Sequence, residues 1–251
     1  MTPARTSSTL GGSLRRAALS LYGAPCRVPW VPLTAVRFPV PAMTVYRLSL
    51  LLTMTYNTYM EKIVCHLGAP RTAKPASLQE YGKLREQMIQ RNWVSLHEHD
   101  FVRAVTEQGC PFYQGLMNGR DLQELQFEKL CWRTQTLAGL DFDVCDVPVD
   151  DMIGWLTHKG LRPWLAYFTF SNNPANGGQS YRLLWRVDTN LNLTYDECSR
   201  ALKELKKYSF NRADKHALNP TRLFQGTNSG FCHYDANAKR LNLKELATQF
   251  T

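Results

Sequence analysis

Leu137-Ala138-Gly139-Leu140-Asp141-Phe142-Asp143-Val144 is the stretch on which the fold and the chemistry both turn. Its apolar character and short length predict a strand. On a strand the side-chain period is two, so Asp141 and Asp143 fall on one face and Phe142 on the other, toward a core. Two neighbouring carboxylates repel each other and are costly in an apolar strand without a counter-cation. Oxygen ligands of this kind suit Mg2+ or Mn2+. The same pair also reads as two solvated acids at a strand end.

Working outward toward the C-terminus, Val149 to Lys159 predicts a helix stopped by Gly160, with Asp150 and Asp151 in its first turn. Trp164 to Phe170 alternates and is aromatic, as a strand requires. Ser171 to Gln179 is a loop, Ser180 to Val187 a second strand, and Tyr195 to Tyr208 a basic helix. That helix turns Leu202 and Leu205 inward and Lys203, Lys206 and Lys207 outward. Thr221 to Gln225 is a further strand, ending at Gly226. Toward the N-terminus, Ser77 and Glu80 signal a capping box for a helix over roughly 78–91. His97 to Asp100 leads into a short helix or extended piece over Phe101–Thr106, Phe112 to Gly115 forms a short strand, and Asn118-Gly119 a hairpin turn. Interleaved strands and helices imply an α+β or α/β domain.

The charge balance limits what a polyanion-binding argument can rest on. The net charge is +9, but residues 1–60 hold six of the 30 Lys and Arg and none of the 21 acids, leaving 24 basic against 21 acidic residues and a net of +3 beyond them. The segment 1–60 is rich in Ser, Thr, Pro and Arg, resembles an organellar transit peptide in composition, and reads equally well as an extension upstream of a later start. Residues 61–251 form the folded domain. No stretch reaches about 18 apolar residues, so no membrane span is expected. The seven cysteines show no C-x-x-C and no zinc-ribbon spacing, which predicts a reduced, intracellular chain.

Two further groups of residues have chemistry in them. Asn211-Arg212-Ala213-Asp214-Lys215-His216 offers a third carboxylate, and Arg222 in Asn219-Pro220-Thr221-Arg222-Leu223-Phe224 a fork donor for phosphate. In Ser180-Tyr181-Arg182, the hydroxyl and the guanidinium share one strand face after a glycine-containing loop, as a grip on a triphosphate would need. That loop lacks G-K-[ST], so it is no P-loop. Each of these also reads as a polar turn or strand end.

Taken in order, these motifs resemble the catalytic core of the archaeo-eukaryotic primase superfamily, in particular the primase-polymerase domains of phages, plasmids and mobile elements. Phe112-Tyr113-Gln114-Gly115, Trp132-Arg133-Thr134-Gln135 and Gly139-Leu140-Asp141-Phe142-Asp143 resemble the lead-in and first motif. Ser180-Tyr181-Arg182 resembles the second, with Arg where the family has His, and Ala213-Asp214 the third. The resemblance covers about half the chain, roughly Phe101 to Gly226. It implies an RRM-like antiparallel sheet flanked by helices, packed against a second small α/β unit that Glu61–Leu137 would largely supply. It implies that Asp141, Asp143 and Asp214 are catalytic and hold two Mg2+ or Mn2+ ions, and that Ser180, Arg182, Lys215 and Arg222 bind the nucleotide. The implied activity is that of a DNA primase or polymerase: nucleotides are added to a 3′-hydroxyl on a single-stranded DNA template. Its partners would be nucleoside triphosphates, the template and a replicative helicase, fused or separate. Arginine at position 182 binds phosphate but does not titrate near pH 7, so an acid–base role there is not expected. The implied setting is the cytoplasm or nucleoid of a prokaryotic or phage system, or an organelle if residues 1–60 are a transit peptide. Lys203, Lys206, Lys207, Arg186 and Arg200 are candidates for template backbone contacts. The alternative of another class is a catalytically inactive replication module that binds single-stranded DNA. His97-Glu98-His99 lacks the apolar middle residue of a rolling-circle initiator.

Overall fold

The alternation that sets Phe142 opposite Asp141 builds the central sheet of the molecule. The computed structural model describes residues 61–90, 93–118 and 128–248. The expectations for residues 1–60 and for the Gly119 end of the hairpin turn lie outside the described residues. In chain order the elements are β1 (Lys62–Cys65), α1 (Leu78–Gln90), β2 (Val94–His97), α2 (Glu98–Thr106), β3 (Phe112–Tyr113) and β4 (Gly115–Met117). There follow α3 (Glu128–Cys131), β5 (Trp132–Gln135), β6 (Leu137–Cys145), α4 (Val149–His158), β7 (Leu165–Phe168) and β8 (Gln179–Arg186). The chain closes with α5 (Tyr195–Tyr208), a 3-10 turn over Lys215–Leu218, β9 (Leu223–Phe224), β10 (His233–Tyr234) and α6 (Leu243–Thr248).

The four-stranded sheet has the order β10-β7-β8-β6, and all its neighbours are antiparallel. Both of its faces are covered, which is why β6 and β8 are apolar along almost their whole length. One face sends Ala138, Leu140, Phe142, Tyr181, Leu183 and Trp185 into a core shared with α4, α5 and α6. The other sends Leu137, Tyr167 and Leu184 against Phe101, Phe112 and Phe224. On that second side lie the two-stranded ladders β1–β2, β3–β9 and β4–β5. The architecture is mixed α and β with small antiparallel sheets.

The local signals explain where elements begin and end. Thr194 and Glu197 form a reciprocal capping box at the start of α5, which spans the predicted residues. Ser77 Oγ accepts from Glu80 N at 3.1 Å and starts α1. Gly160 follows α4 with φ of 76°, a left-handed turn that glycine adopts without Cβ strain. The strand predicted over Thr221–Gln225 is shorter: only Leu223 and Phe224 pair, because Asn219 Oδ1 captures Thr221 N at 2.9 Å in an Asx turn. Among the described residues no helix is long and apolar enough to cross a membrane. Cys65, Cys110, Cys145, Cys198 and Cys232 are free thiols.

Candidate functional site

Strand register decides what Asp141 meets. β6 and β8 pair so that Asp141 lies directly across from Arg182, and β7 brings Tyr167 against Arg182 from the other side. Arg182 Nη2 donates to Asp141 Oδ2 at 2.7 Å, and both residues are buried, at 4% and 6% exposure. Nη1 donates to Tyr167 Oη at 3.0 Å and to the Gln225 carbonyl, while Tyr167 Oη donates to that same carbonyl at 3.1 Å. The guanidinium lies over the Phe224 ring, 4.4 Å from its centre. Burial by itself opposes the charged guanidinium, but the Asp141 carboxylate and the Tyr167 hydroxyl outweigh it and hold the pKa above the ordinary arginine value. Burial pushes the Tyr167 hydroxyl up to about 12, so it stays a neutral donor.

The counter-cation that an acid on an apolar strand demands is therefore supplied from within the chain, by Arg182. Its two terminal nitrogens face protein acceptors, so in this geometry Arg182 positions Asp141 rather than reaching outward. Asp141 Oδ1, in contrast, is buried without any partner.

Asp214 arrives at the same place by a backbone route. Its N–H donates to the Asp141 carbonyl at 2.7 Å. Buried Gln114 braces this approach: Oε1 accepts from Gly139 N at 3.0 Å, and Nε2 donates to the Asn219 carbonyl at 2.6 Å and to the Ala217 carbonyl at 3.3 Å. The side chain that opens the 3-10 turn is Asp214 itself, whose Oδ1 accepts from His216 N at 3.0 Å. Asp143 follows Asp141 where the β6–β8 register breaks between Phe142 and Cys145, and it is exposed. Val144 within this bulge has φ of 49°, and its N–H donates to Ser180 Oγ at 3.0 Å. The Ser180 hydroxyl thus faces the bulge backbone.

Lys215 and Arg222 share a cleft of about 300 Å3 with Tyr81, Arg85, His216 and Asn219. Among the described residues no acid lines it, and Arg222 Nε is buried without a partner. Arg85 and Tyr81 come from α1, outside every motif, and a sequence reading confined to the motifs misses them. Gln114 and Tyr167 were visible only as members of strands. Arg186, expected to reach a template, is instead buried: Nη1 donates to Glu98 Oε1 at 2.6 Å and Glu61 Oε2 at 2.8 Å, and Nη2 to the Ala236 and Ala238 carbonyls.

One oxygen of the site is suited to a divalent cation. The orphaned Oδ1 of Asp141 is a hard oxygen with an open lone pair, as Mg2+ or Mn2+ takes, and Asp214 is tied to the same residue through its backbone N–H. Among the described residues, no three His, Cys, Asp or Glu side chains are gathered as a metal cluster. Asp141 therefore fits as a ligand, and a complete multi-carboxylate cage is not assembled.

No protein-family model matches the sequence, and no curated protein matches it. Among solved structures, the AEP domain of the cyanophage S-2L primase-polymerase is similar at a TM-score of 0.40 and 14% identity, covering 80% of this chain and 95% of that one. A likeness of that size leaves the reading of the site to its own residues.

Proposed function

We propose that this chain is a two-metal nucleotidyltransferase of the primase-polymerase type, extending a 3′-hydroxyl on a single-stranded DNA template from nucleoside triphosphates. The observation that carries the reading is the partnerless Oδ1 of Asp141 beside Asp214, two acids from distant motifs joined by a backbone hydrogen bond. Asp141, Asp143 and Asp214 would hold two Mg2+ or Mn2+ ions. When bound, such ions supply charge neutralisation for in-line attack on an α-phosphate with pyrophosphate leaving. Arg182 fixes the orientation of Asp141, and Ser180 braces the bulge that carries Asp143. Lys215 and Arg222, with Arg85 on the same acid-free cleft, would take the triphosphate. The counterpart of the family's RRM-like sheet in this reading is β10-β7-β8-β6, and a replicative helicase is the partner.

A second reading is favoured by one observation: Asp141 Oδ2 is already held by Arg182, and no three-ligand cluster is present among the described residues. In that reading the chain is an inactive replication module that binds single-stranded DNA. Mn2+-dependent primer synthesis and extension with ribo- and deoxynucleotides separates the two. Asp143→Ala, at an exposed position, should leave the fold intact and lower incorporation by about a hundredfold or more, as lost metal stabilisation of several kcal/mol requires. Equal incorporation by this variant and the wild type would overturn the enzyme reading. Single-stranded DNA bound with no incorporation by either would support the second.

A further inference from the structure

The end of α5 is built against the ordinary preference of its sequence. Asn211 N donates to the Lys206 carbonyl at 3.3 Å, closing a Schellman-type turn. The residue in the left-handed position, normally glycine, is Phe210 with φ of 55°, and Asn211 follows at 58°. A phenylalanine that accepts this strain usually does so for burial, yet Phe210 is 49% exposed. A backbone outlier whose side chain gains little core is a pointer to use of that side chain.

Its surroundings point to one kind of ligand. The Phe210 ring lies against the half-buried indole of Trp155, with centroids 4.7 Å apart and planes 31° from parallel. The indole is locked by its Nε1, which donates to the Tyr208 carbonyl at 2.8 Å. Lys159 Nζ sits over the same indole at 4.4 Å from the ring centre. Lys159 and Tyr208 also line a cleft of about 690 Å3 that continues to Arg162, Lys239 and Arg240. Within it Arg162 is paired with Asp235 and Arg240 with Glu61, whereas Lys159 and Lys239 have no acidic partner among the described residues. An exposed ring beside a cleft in which Lys159, Arg162, Lys239 and Arg240 outnumber Asp235 and Glu245 is what a single strand needs: a base stacks on the ring and phosphates follow the cations.

We propose that Phe210, backed by Trp155, is a stacking platform for an unpaired base of a single-stranded nucleic acid, whose backbone runs past Lys159 toward Lys239. The platform lies beyond the acid site and uses none of its groups, although the strand it holds is the template that the proposed reaction requires. Phe210 is four residues before Asp214 in the sequence, so their Cα atoms lie within about 14 Å of each other, the reach of a fully extended chain.

The test is binding of a labelled oligothymidylate by the full chain, followed by fluorescence anisotropy without divalent metal or nucleotides. Phe210→Gly is the decisive variant because glycine suits the left-handed position, so the melting temperature should hold or rise while affinity falls by about tenfold or more. Lys159→Gln should weaken binding and reduce the slope of log affinity against log salt by about 0.7. Phe210→Gly binding as tightly as wild type would overturn the platform. So would equal affinity of the wild type for a duplex of the same length, or no binding at low salt. Retained binding by a wild type that incorporates no nucleotide supports the platform and strikes the acid site alone. Full incorporation with unchanged binding by Phe210→Gly does the reverse.

Discussion

Arg182 and Arg186 stand four residues apart on the same face of β8, and each is buried beside a carboxylate and an aromatic ring, yet their surroundings differ in one respect. Around Arg186 the acceptors are satisfied. Glu98 Oε1 takes the guanidinium, Oε2 takes the Tyr234 hydroxyl at 3.5 Å, and two backbone carbonyls take Nη2, which leaves only Nε without a partner, as at Arg182. Around Arg182 one acceptor is left over, Asp141 Oδ1, and an exposed acid and a half-buried one stand nearby. A saturated buried ion pair is a structural joint, whereas one that leaves an anionic oxygen open has capacity for a further cation. The chain thus uses the same side chain in the same strand for two purposes, and the count of remaining lone pairs tells them apart.

The largest expected effect tests the joint. Arg186→Leu strips the cation from Glu98, while Glu61 keeps Arg240, and should lower unfolding free energy by about 3–5 kcal/mol in urea titrations, with or without Mn2+. Arg182→Leu leaves Asp141 uncompensated in the same way, but here Mn2+ should recover stability. A binding site held at about a hundredfold excess over its dissociation constant contributes about 2.7 kcal/mol, readable as a rise in melting temperature that EDTA reverses. Mn2+ that shifts both variants alike, or neither, breaks the distinction between the two arginines.

A smaller effect sharpens it. A Cβ on Gly139 would lie 2.5 Å from Phe224 Cε2 and 2.9 Å from Leu184 Cδ2. Because Phe224 is the ring beneath Arg182, Gly139→Ala should cost about 1–3 kcal/mol by overpacking and disturb the Arg182 side selectively. Nucleotide incorporation should fall in that variant more than its stability loss explains.

The smallest effects lie at the surface cap of α5. Thr194→Ala should lower stability by about 1 kcal/mol. The Thr194 backbone N–H, and then its hydroxyl, hold the Glu197 carboxyl below its ordinary 4.5. A depressed folded-state pKa gives a contribution that is present above pH 4.5 and lost as pH falls through the lowered value. The melting-temperature gap between wild type and Glu197→Gln should therefore close as pH drops below 4.5.

Local signals made much of this legible beforehand. The extent of α5 follows from the spacing of Leu202 and Leu205, the start of α1 from Ser77 and Glu80, and the end of α4 from Gly160, because capping and periodicity act within a few residues. The same locality hid other features. Nothing near Arg186 in sequence announces its burial, since Glu61 and Glu98 lie far away along the chain. The strand at Leu223 came out shorter than its composition suggested because an Asn219 side chain competes for the backbone. Arg85 and Tyr81 reach the acid-free cleft only because α1 folds beside the Lys215 turn.

By itself, the sequence determined that Asp141 and Phe142 point to opposite sides of a strand, and that Asp214, Lys215 and Arg222 follow in one polar connection. Only the tertiary structure decided that Arg182 is the cation opposite Asp141, that one carboxylate oxygen is left open, and that Phe210 is strained and exposed. The reason is physical: side-chain alternation is a property of each strand alone, whereas register, burial and the last unpaired lone pair depend on which distant strands come to lie together.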